Sequence, residues 1–139
     1  MASHYAALQG RFMLALDIQH VRMKQHATDK AQALQCLVDI LVEDQLVTPD
    51  YIHGLTAREQ QSATYLGQGI AIPHGTPQSR QCILKTGIRL AHFPEGVVWD
   101  GENKIYLAVV IAAKSDEHLQ VLQILTRALI NDVADQVKQ

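Results

Sequence analysis

The sequence predicts a layered α/β domain in which helices cover a β-sheet. Predicted strands alternate with predicted helices along the chain, an order that is typical of such domains. The apolar run at residues 105–113 is continuous, which indicates a strand covered by helices on both faces. A length of 139 residues suits one domain with an ordinary hydrophobic core. These observations leave the order of the strands open.

Three helices are predicted from their start signals and apolar spacing. The first begins at the N-cap Thr28 and continues with one apolar face to about Leu46. The segment 48–50 (TPD) combines a hydroxyl cap, a proline at the first helical position and an acid in the first turn, so a second helix should follow and end near residue 60 or 61. Ser115 caps the third, which runs from residue 116 to about 130.

The shorter elements are predicted from apolar runs and turn-forming residues. In chain order they are a frayed extension at 1–11, a short strand at 12–21, a strand at 69–72 ended by Pro73, a loop or one helical turn at 76–81, a strand within 82–90 that is broken at Gly87, and a turn-rich segment at 92–101.

Composition excludes several classes of protein. With 47% hydrophobic and 19% charged residues, the chain is neither disordered nor fibrous. The formal net charge is −2 and no basic run exceeds two residues, which argues against nucleic-acid binding. No apolar stretch reaches the roughly 20 residues of a membrane span, and the first residues lack a signal-peptide pattern. We expect a cytoplasmic protein that does not insert into the membrane.

Common cofactor, metal and hydrolase motifs are missing from the sequence. Cys36 and Cys82 show no metal-ligand spacing, and we expect both to be reduced and buried. No HExxH, GxSxG or Walker sequence occurs. We therefore predict that the protein uses neither a metal ion nor a cofactor.

His74 is the first candidate for chemistry among the seven histidines. It follows the end of a predicted strand and Pro73, so we expect its imidazole to project from a stiff junction. Gly75 lets the backbone bend there and lets a partner approach closely. Imidazole is well suited to act as a nucleophile near neutral pH. The alternative is a turn histidine satisfied by backbone groups, and the sequence alone leaves both open.

His118 and Arg58 are the other candidates. His118 falls in the first turn of the third helix, where exposed N–H groups favour an anion over an imidazolium. Arg58 falls in the last turn of the second helix, and its planar fork suits phosphate oxygens. Each also has an ordinary explanation: a histidine bonded to its own turn, and an arginine pairing with the helix dipole and with Glu59 or Glu43. Taken together, the three favour phosphoryl handling over hydrolysis.

Residues 57–76 (AREQQSATYLGQGIAIPHGT) resemble the signature of the fructose/mannitol class of IIA domains of the sugar phosphotransferase system (PTS). Further similarities, in the family's order, are 84–87 (LKTG), 93–97 (FPEGV) and 115–120 (SDEHLQ). The segment ending IAIPHG is highly specific for this family, and the fructose-specific IIA branch is the most similar. The resemblance implies a mixed β-sheet flanked by helices on both faces.

The resemblance also implies a phosphotransferase component with a phosphohistidine intermediate. His74 would accept phosphate from the phosphocarrier HPr, with His118 as the second active-site histidine and Arg58 as the arginine that steadies the phosphoryl group. A cysteine on a IIB domain would be the next acceptor, for uptake of fructose or a related sugar. The domain would span 12–139 and stop before the family's last helix, so we expect a piece of a longer polypeptide.

Two further expectations concern partners. A domain that docks on two carriers in turn should have a shallow, partly apolar rim. The candidates for it are Tyr65, Leu66, Phe93 and Val97, and the alternative for each is a place in the core. The alternative function is a regulatory switch of the nitrogen type, in which a partner protein recognises the phosphorylated state. A third alternative, an interaction domain without chemistry, predicts that His74 takes no phosphate.

Overall fold

The computed structural model describes the backbone of residues 21–138 and the side chains of residues 21–128. The predicted extension at 1–11 lies outside the described residues, so this boundary stays a prediction. The predicted strand at 12–21 also lies outside them, except for Val21, which begins the first described strand.

The described chain alternates strands and helices, as the sequence predicts. The helices are α1 (Lys30–Glu43), α2 (Tyr51–Gln61) and α3 (Asp116–Lys138), with a 3-10 helix at Pro77–Cys82 on the segment predicted as a loop or one helical turn. The strands are β1 (Val21–Arg22), β2 (Tyr65–Gly67), β3 (Ile70–Ala71), β4 (Gly87–Asp100) and β5 (Asn103–Ala112).

The strands form one mixed sheet in the order β1-β4-β5-β3-β2. β1 pairs parallel with β4, and β3 pairs parallel with β5. The β4–β5 and β2–β3 pairs are antiparallel. The predicted mixed sheet is confirmed, and β5 lies at its centre.

Helices cover both faces of this sheet, which confirms the predicted layers. Ala108, Val110 and Ala112 of β5 belong to the core formed with α1 and α2. The alternate residues Val109 and Ile111 belong to the core formed with α3. Because successive side chains of a strand point to opposite faces, a strand covered on both sides reads as one continuous apolar run.

Both predicted starts in the first half need correction at the cap. Asp29, not Thr28, is the N-cap of α1: its carboxylate accepts a hydrogen bond from the Gln32 N–H at 2.9 Å. α2 has no side-chain cap bond, and the carbonyl of Thr48 instead accepts from the Tyr51 N–H at 3.1 Å. α1 also ends before the predicted Leu46, since Gln45 has a φ of 61° and cannot continue a right-handed helix.

β4 overturns the predicted turn-rich segment at 92–101. The strand starts at Gly87 and runs through Pro94 and Gly96, with a register shift between His92 and Val97. In such a bulge the position of Pro94 needs no N–H for the hydrogen bonds between the strands, and Gly96 can adopt its φ of 77°. Turn-forming residues therefore mark a bulge here and not a break. Only the turn after Asp100 is confirmed, where the chain reverses into β5.

The hairpin of β2 and β3 was only half predicted. β3 confirms the strand before Pro73, but the pattern gave no sign of β2. Gln68 and Gly69 join the two strands with φ values of 57° and 77°, the left-handed geometry of a tight hairpin turn.

Three further features concern the cysteines, membrane-spanning helices and metal ligands of the described residues. Cys36 and Cys82 are free thiols, although each is only partly buried. No helix in the described part of the chain is long and apolar enough to cross a membrane. Across residues 21–128, no group of three histidine, cysteine or acidic side chains is arranged to hold a metal ion.

Candidate active site

His74 is attached to the central strand of the sheet. It follows β3 and forms an isolated parallel bridge with Ile111, while the Ile111 N–H donates to the carbonyl of Pro73 at 2.9 Å. The junction after Pro73 is therefore held by backbone bonds to β5. This is the stiff support that the sequence predicts for His74.

Tyr51 fastens the other side of the same junction. Its hydroxyl donates to the carbonyl of Ile111 at 2.9 Å and accepts from the Gly75 N–H at 2.9 Å. The side chain is 1% exposed, and burial raises the pKa of Tyr51 to about 12. The hydroxyl therefore keeps its proton and continues to donate throughout the neutral range. This buried residue ties α2 to both β5 and the loop that carries His74.

Gly75 has a different purpose from the one predicted. Its φ is not positive, so the backbone does not need glycine in order to bend. A Cβ at this position would instead lie 2.3 Å from Oγ of Ser79 and 2.7 Å from the ring of Tyr51. Gly54 is similarly crowded, because a Cβ there would lie 2.3 Å from the Cβ of Ser79. Both glycines let α2 approach the loop after His74 closely.

The His74 ring is largely buried at this junction, since the residue is only 6% exposed. Its Nδ1 lies 3.0 Å from the carbonyl of Ile72. A carbonyl can only accept, so Nδ1 carries the proton and, in the neutral ring, the lone pair is on Nε2. The buried side-chain nitrogens without a partner in the described region are those of His92 and Trp99, so Nε2 of His74 retains contact with solvent.

The surroundings of His74 favour its neutral form. Burial lowers its pKa below the usual 6.5, the nearby Arg58 cation lowers it further, and the bond to Ile72 and the charge of Glu59 act the other way. A neutral ring with a free Nε2 is the nucleophilic state of imidazole.

His74 lines a cleft of about 80 Å³ between α2, the β2–β3 hairpin and α3. We call it the His74 cleft. The lining residues that the structure describes include two arginines, Arg58 and Arg127, and no acidic residue. The remaining lining residues are Ala63, Thr64, Tyr65, Leu66, Ile72 and Gln123. A small cleft with two guanidinium groups and no carboxylate is suited to a compact anion.

Arg58 is positioned by the end of its own helix. Its guanidinium donates to the carbonyl of Ser62 at 2.7 Å and approaches the hydroxyl of the same residue at 3.4 Å. It does not pair with Glu59, which was one predicted alternative. The structure thus brings Arg58 and His74 to one cleft, as the phosphoryl hypothesis requires.

Glu59 is a buried residue whose role the sequence analysis missed. Its carboxylate pairs with Lys30 Nζ at 2.8 Å and accepts from the Thr64 N–H at 3.1 Å and from the Thr64 hydroxyl. It thereby shapes the corner between α2 and β2, at one wall of the cleft. The spacing along α2 could have predicted its burial, because Tyr51, Leu55 and Glu59 occupy successive turns of the buried face of this helix.

His118 is placed apart from the other two predicted residues. Its N–H donates to Oγ of Ser115 at 3.2 Å, which confirms the predicted cap. The exposed ring lies against Thr86, with Nδ1 and Oγ1 3.4 Å apart, and does not line the His74 cleft. Its neighbour Leu119 reaches a second, smaller cavity beside His74. The role predicted for His118 therefore stays a prediction.

The smaller cavity also contains Arg80, which the sequence analysis did not single out. Arg80 belongs to the 3-10 helix and pairs with Asp116 at the start of α3. This ion pair joins the loop after His74 to the helix that carries His118.

The predicted apolar rim is half right. Phe93 and Val97 are 1% and 2% exposed and belong to the core, so they cannot contact a partner. Tyr65 and Leu66 are partly exposed and line the His74 cleft. The β2–β3 hairpin places them there, and the sequence predicted only β3 of this hairpin.

A family model described as “Phosphoenolpyruvate-dependent sugar phosphotransferase system, EIIA 2” matches residues 15–137. The chain is 46% identical over 127 residues to a multiphosphoryl transfer protein of Vibrio cholerae, covering 91% of this chain and 32% of that protein. It thus spans about a third of the length of this curated relative.

Solved structures show the same fold. The crystal structure of mannitol IIA from Escherichia coli matches with a TM-score of 0.74 at 36% identity, over 82% of each chain. A complex of enzyme IIA and phosphorylated enzyme IIB for mannitol, also from Escherichia coli, matches with a TM-score of 0.74 at 35% identity, over 82% of this chain and 81% of that one.

Proposed function

Because the chain belongs to the EIIA type 2 family of the phosphoenolpyruvate-dependent sugar phosphotransferase system, we propose that it carries a phosphoryl group on His74. The donor is phosphorylated HPr, and the acceptor is a cysteine of a IIB domain. The observation that carries this proposal is the bond from Nδ1 of His74 to the carbonyl of Ile72, which leaves Nε2 as the nucleophile beside Arg58.

In the first transfer, the Nε2 lone pair of His74 attacks the phosphorus of the incoming phosphohistidine. The new Nε2–P bond forms while the bond from phosphorus to the donor's ring nitrogen breaks, and that electron pair returns to the donor ring. The proton stays on Nδ1 throughout, and its hydrogen bond to the carbonyl of Ile72 stabilises the developing positive charge on the ring. In-line displacement between two nucleophiles depends mainly on positioning and charge stabilisation.

Arg58 supplies the charge that the migrating group requires. Its guanidinium, anchored to Ser62, presents N–H donors to the non-bridging oxygens. The same positive charge helps to keep His74 unprotonated, and therefore nucleophilic, before transfer.

His118 contributes to the second transfer in this proposal. Its position at the N-terminal turn of α3 suits contact with an anion, and its exposed ring lies against Thr86. A rotation of the side chain when the IIB domain docks would bring it toward the phosphoryl group. The cysteine thiolate then attacks phosphorus, the Nε2–P bond breaks, and the electron pair returns to His74.

The sugar is fructose or a related compound in this proposal. Residues 93–97 and 115–120 favour the sugar branch over the nitrogen type, and the sequence as a whole is most similar to the fructose branch, whereas two similar solved structures are mannitol proteins. The domain hands phosphate to a protein cysteine and does not touch the sugar. Its specificity is therefore expressed in its choice of IIB domain.

The test is phosphorylation with phosphoenolpyruvate, enzyme I and HPr, followed by intact mass measurement. We expect an acid-labile gain of one phosphate in the wild type and none in His74→Ala. His53→Ala is the matched control, because His53 is an exposed histidine outside the cleft, and it should be phosphorylated fully. Phosphate on His74→Ala would contradict the proposal.

Onward transfer separates the carrier from the regulatory alternative. Phosphorylated wild type should pass its phosphate to IIB domains of the fructose or mannitol class, and the faster acceptor identifies the sugar branch. His118→Ala should accept phosphate normally and transfer it poorly. Phosphorylation without transfer to either IIB domain would favour a nitrogen-type switch.

A further inference from the structure

The His74 cleft has a second cationic wall that the proposed function does not use. One wall comes from α2 and carries Arg58, while the other comes from α3 and carries Gln123 and Arg127. Residues 123 and 127 are four apart in the helix, so their side chains lie one above the other on the same face. α3 therefore directs an amide and a guanidinium toward the space beside His74.

Arg127 differs from the other arginines in having no hydrogen bond or ion pair within the described residues. The other arginines of the described region each have a partner: Arg22 and Arg89 bind Asp44, Arg80 binds Asp116, and Arg58 binds Ser62. Two guanidinium groups around one cleft repel each other, so their proximity does not stabilise the free protein. A bound anion would attract both groups and offset this repulsion.

Among the described residues, the lining of the cleft offers no other partner for this charge. The lining residues that the structure describes include no aspartate or glutamate, and the buried carboxylate of Glu59 is already engaged by Lys30 and Thr64. A phosphoryl group on Nε2 of His74 would bring three non-bridging oxygens and close to two negative charges into this space. One guanidinium donates to at most two of those oxygens in a forked arrangement.

We propose that Arg127 is a second cationic contact of the phosphoryl group on His74, opposite Arg58. This rests on the proposed function of His74 as the phosphoryl acceptor. Arg58 is anchored to Ser62 and stays in place, whereas Arg127 has no partner in the part of the chain that the structure describes and closes on the phosphoryl group once it has arrived. Arg127 forms and breaks no covalent bond, so the transfer keeps the electron balance given above.

The experiment compares Arg127→Gln and Arg127→Lys with the wild type and with Lys104→Gln. Lys104 is an exposed cation at the far end of β5, seven residues from the strand position that bridges His74, or about 23 Å along the strand. Its replacement removes the same charge without touching the cleft. Two quantities are measured: the rate of phosphorylation by phospho-HPr, and the pKa of the phosphoryl group on His74 by phosphorus NMR.

We expect Arg127→Gln to slow phosphorylation about tenfold, since a charge-assisted hydrogen bond to the transferring group is lost. It should also raise the pKa of the phosphoryl group, because a nearby cation favours the dianion. Arg127→Lys should restore most of the pKa effect and part of the rate. Lys104→Gln should match the wild type in both.

The failures are distinguishable. A wild type that takes no phosphate on His74 contradicts the proposed function. A wild type that is phosphorylated normally, with Arg127→Gln equal to Lys104→Gln in rate and in phosphoryl pKa, overturns only the role of Arg127. If Arg127→Gln lowers the melting temperature of the domain, Arg127→Lys provides the test. A folded Arg127→Lys variant whose phosphoryl pKa stays near the wild-type value supports the contact. A phosphoryl pKa equal to that of Arg127→Gln rejects it.

Discussion

His74 is held by its neighbours so that one ring nitrogen is committed and the other is available. Nδ1 donates to the carbonyl of Ile72, the carbonyl of Pro73 accepts from the Ile111 N–H of β5, and the Gly75 N–H donates to the Tyr51 hydroxyl. The ring and the backbone on both sides of it are thus restrained by hydrogen bonds. Under the proposed function His74 meets two different proteins, and it gains from such restraint because misplacement by about 1 Å can cost a hundredfold in rate.

Tyr51→Phe tests this restraint at the scale of one oxygen atom. The change leaves the Ile111 carbonyl and the Gly75 N–H buried without their shared partner. We expect a loss of about 2 kcal/mol in the free energy of unfolding, or roughly 6 °C in melting temperature. Phosphorylation of His74 should slow roughly tenfold. Urea denaturation and a phosphoryl-transfer assay provide the two measurements.

Tyr106→Phe is the matched control for that variant. Tyr106 is 45% exposed, and its hydroxyl has no hydrogen bond among the residues that the structure covers. Its loss should leave both stability and transfer unchanged. Equal effects of the two substitutions would show that the hydroxyl of Tyr51 has no special role.

At the scale of elements, the corner between α2 and β2 connects stability to the site. Glu59 ends the buried face of α2 and holds the N–H of Thr64, which itself lines the His74 cleft. Lys30 of α1 neutralises the carboxylate and lies 5.0 Å from the centroid of the Trp99 ring. Three elements therefore meet at one buried ion pair.

Glu59→Gln should destabilise the domain by about 2 kcal/mol, since Lys30 loses its partner while remaining partly solvated. The pKa of His74 should fall further, because the charge of Glu59 raises it in the wild type. Urea denaturation and a proton NMR titration of His74 check the two effects. Glu102→Gln, which removes an exposed acid in the turn between β4 and β5, is the control. An unchanged His74 pKa in Glu59→Gln would contradict this electrostatic link.

At the scale of the whole molecule, burial of two titratable groups predicts how stability depends on pH. The pKa of His74 is about 6.5 in the unfolded chain and lower in the folded one. As pH falls between these two pKa values, the unfolded chain binds a proton that the folded chain does not. Stability should therefore fall with pH below about 6.5. The folded pKa of Tyr51 is about 12 against 10 for a free tyrosine, so stability should also fall as pH rises from 10 to 12, by about 3 kcal/mol.

One substitution tests the acid part of this dependence of stability on pH, and another tests the alkaline part. His74→Gln should flatten the acid limb relative to the wild type, and Tyr51→Phe should flatten the alkaline limb. Urea denaturation at a series of pH values measures the differences. An acid limb that is equally steep in His74→Gln would show that other groups cause it.

The fold class and the candidate histidine His74 follow from the sequence because the signals for both are local in origin. The continuous apolar run of β5 reports burial on two faces, and the segment that ends at Pro73, His74 and Gly75 marks a strand end whatever lies around it. The start of α3 at Ser115 is equally local, since a hydroxyl one residue before a helix satisfies a free N–H. These features can be predicted without knowledge of contacts between residues far apart in sequence.

Only the tertiary structure decided how the site is assembled. It showed that Pro94 and Gly96 lie in a bulge, because the partner strand β5 determines whether such residues interrupt a ladder. It buried the His74 ring, placed Arg127 beside it and left His118 against Thr86. Each of these outcomes depends on contacts between residues far apart in sequence, and local pattern and propensity carry no information about such pairs.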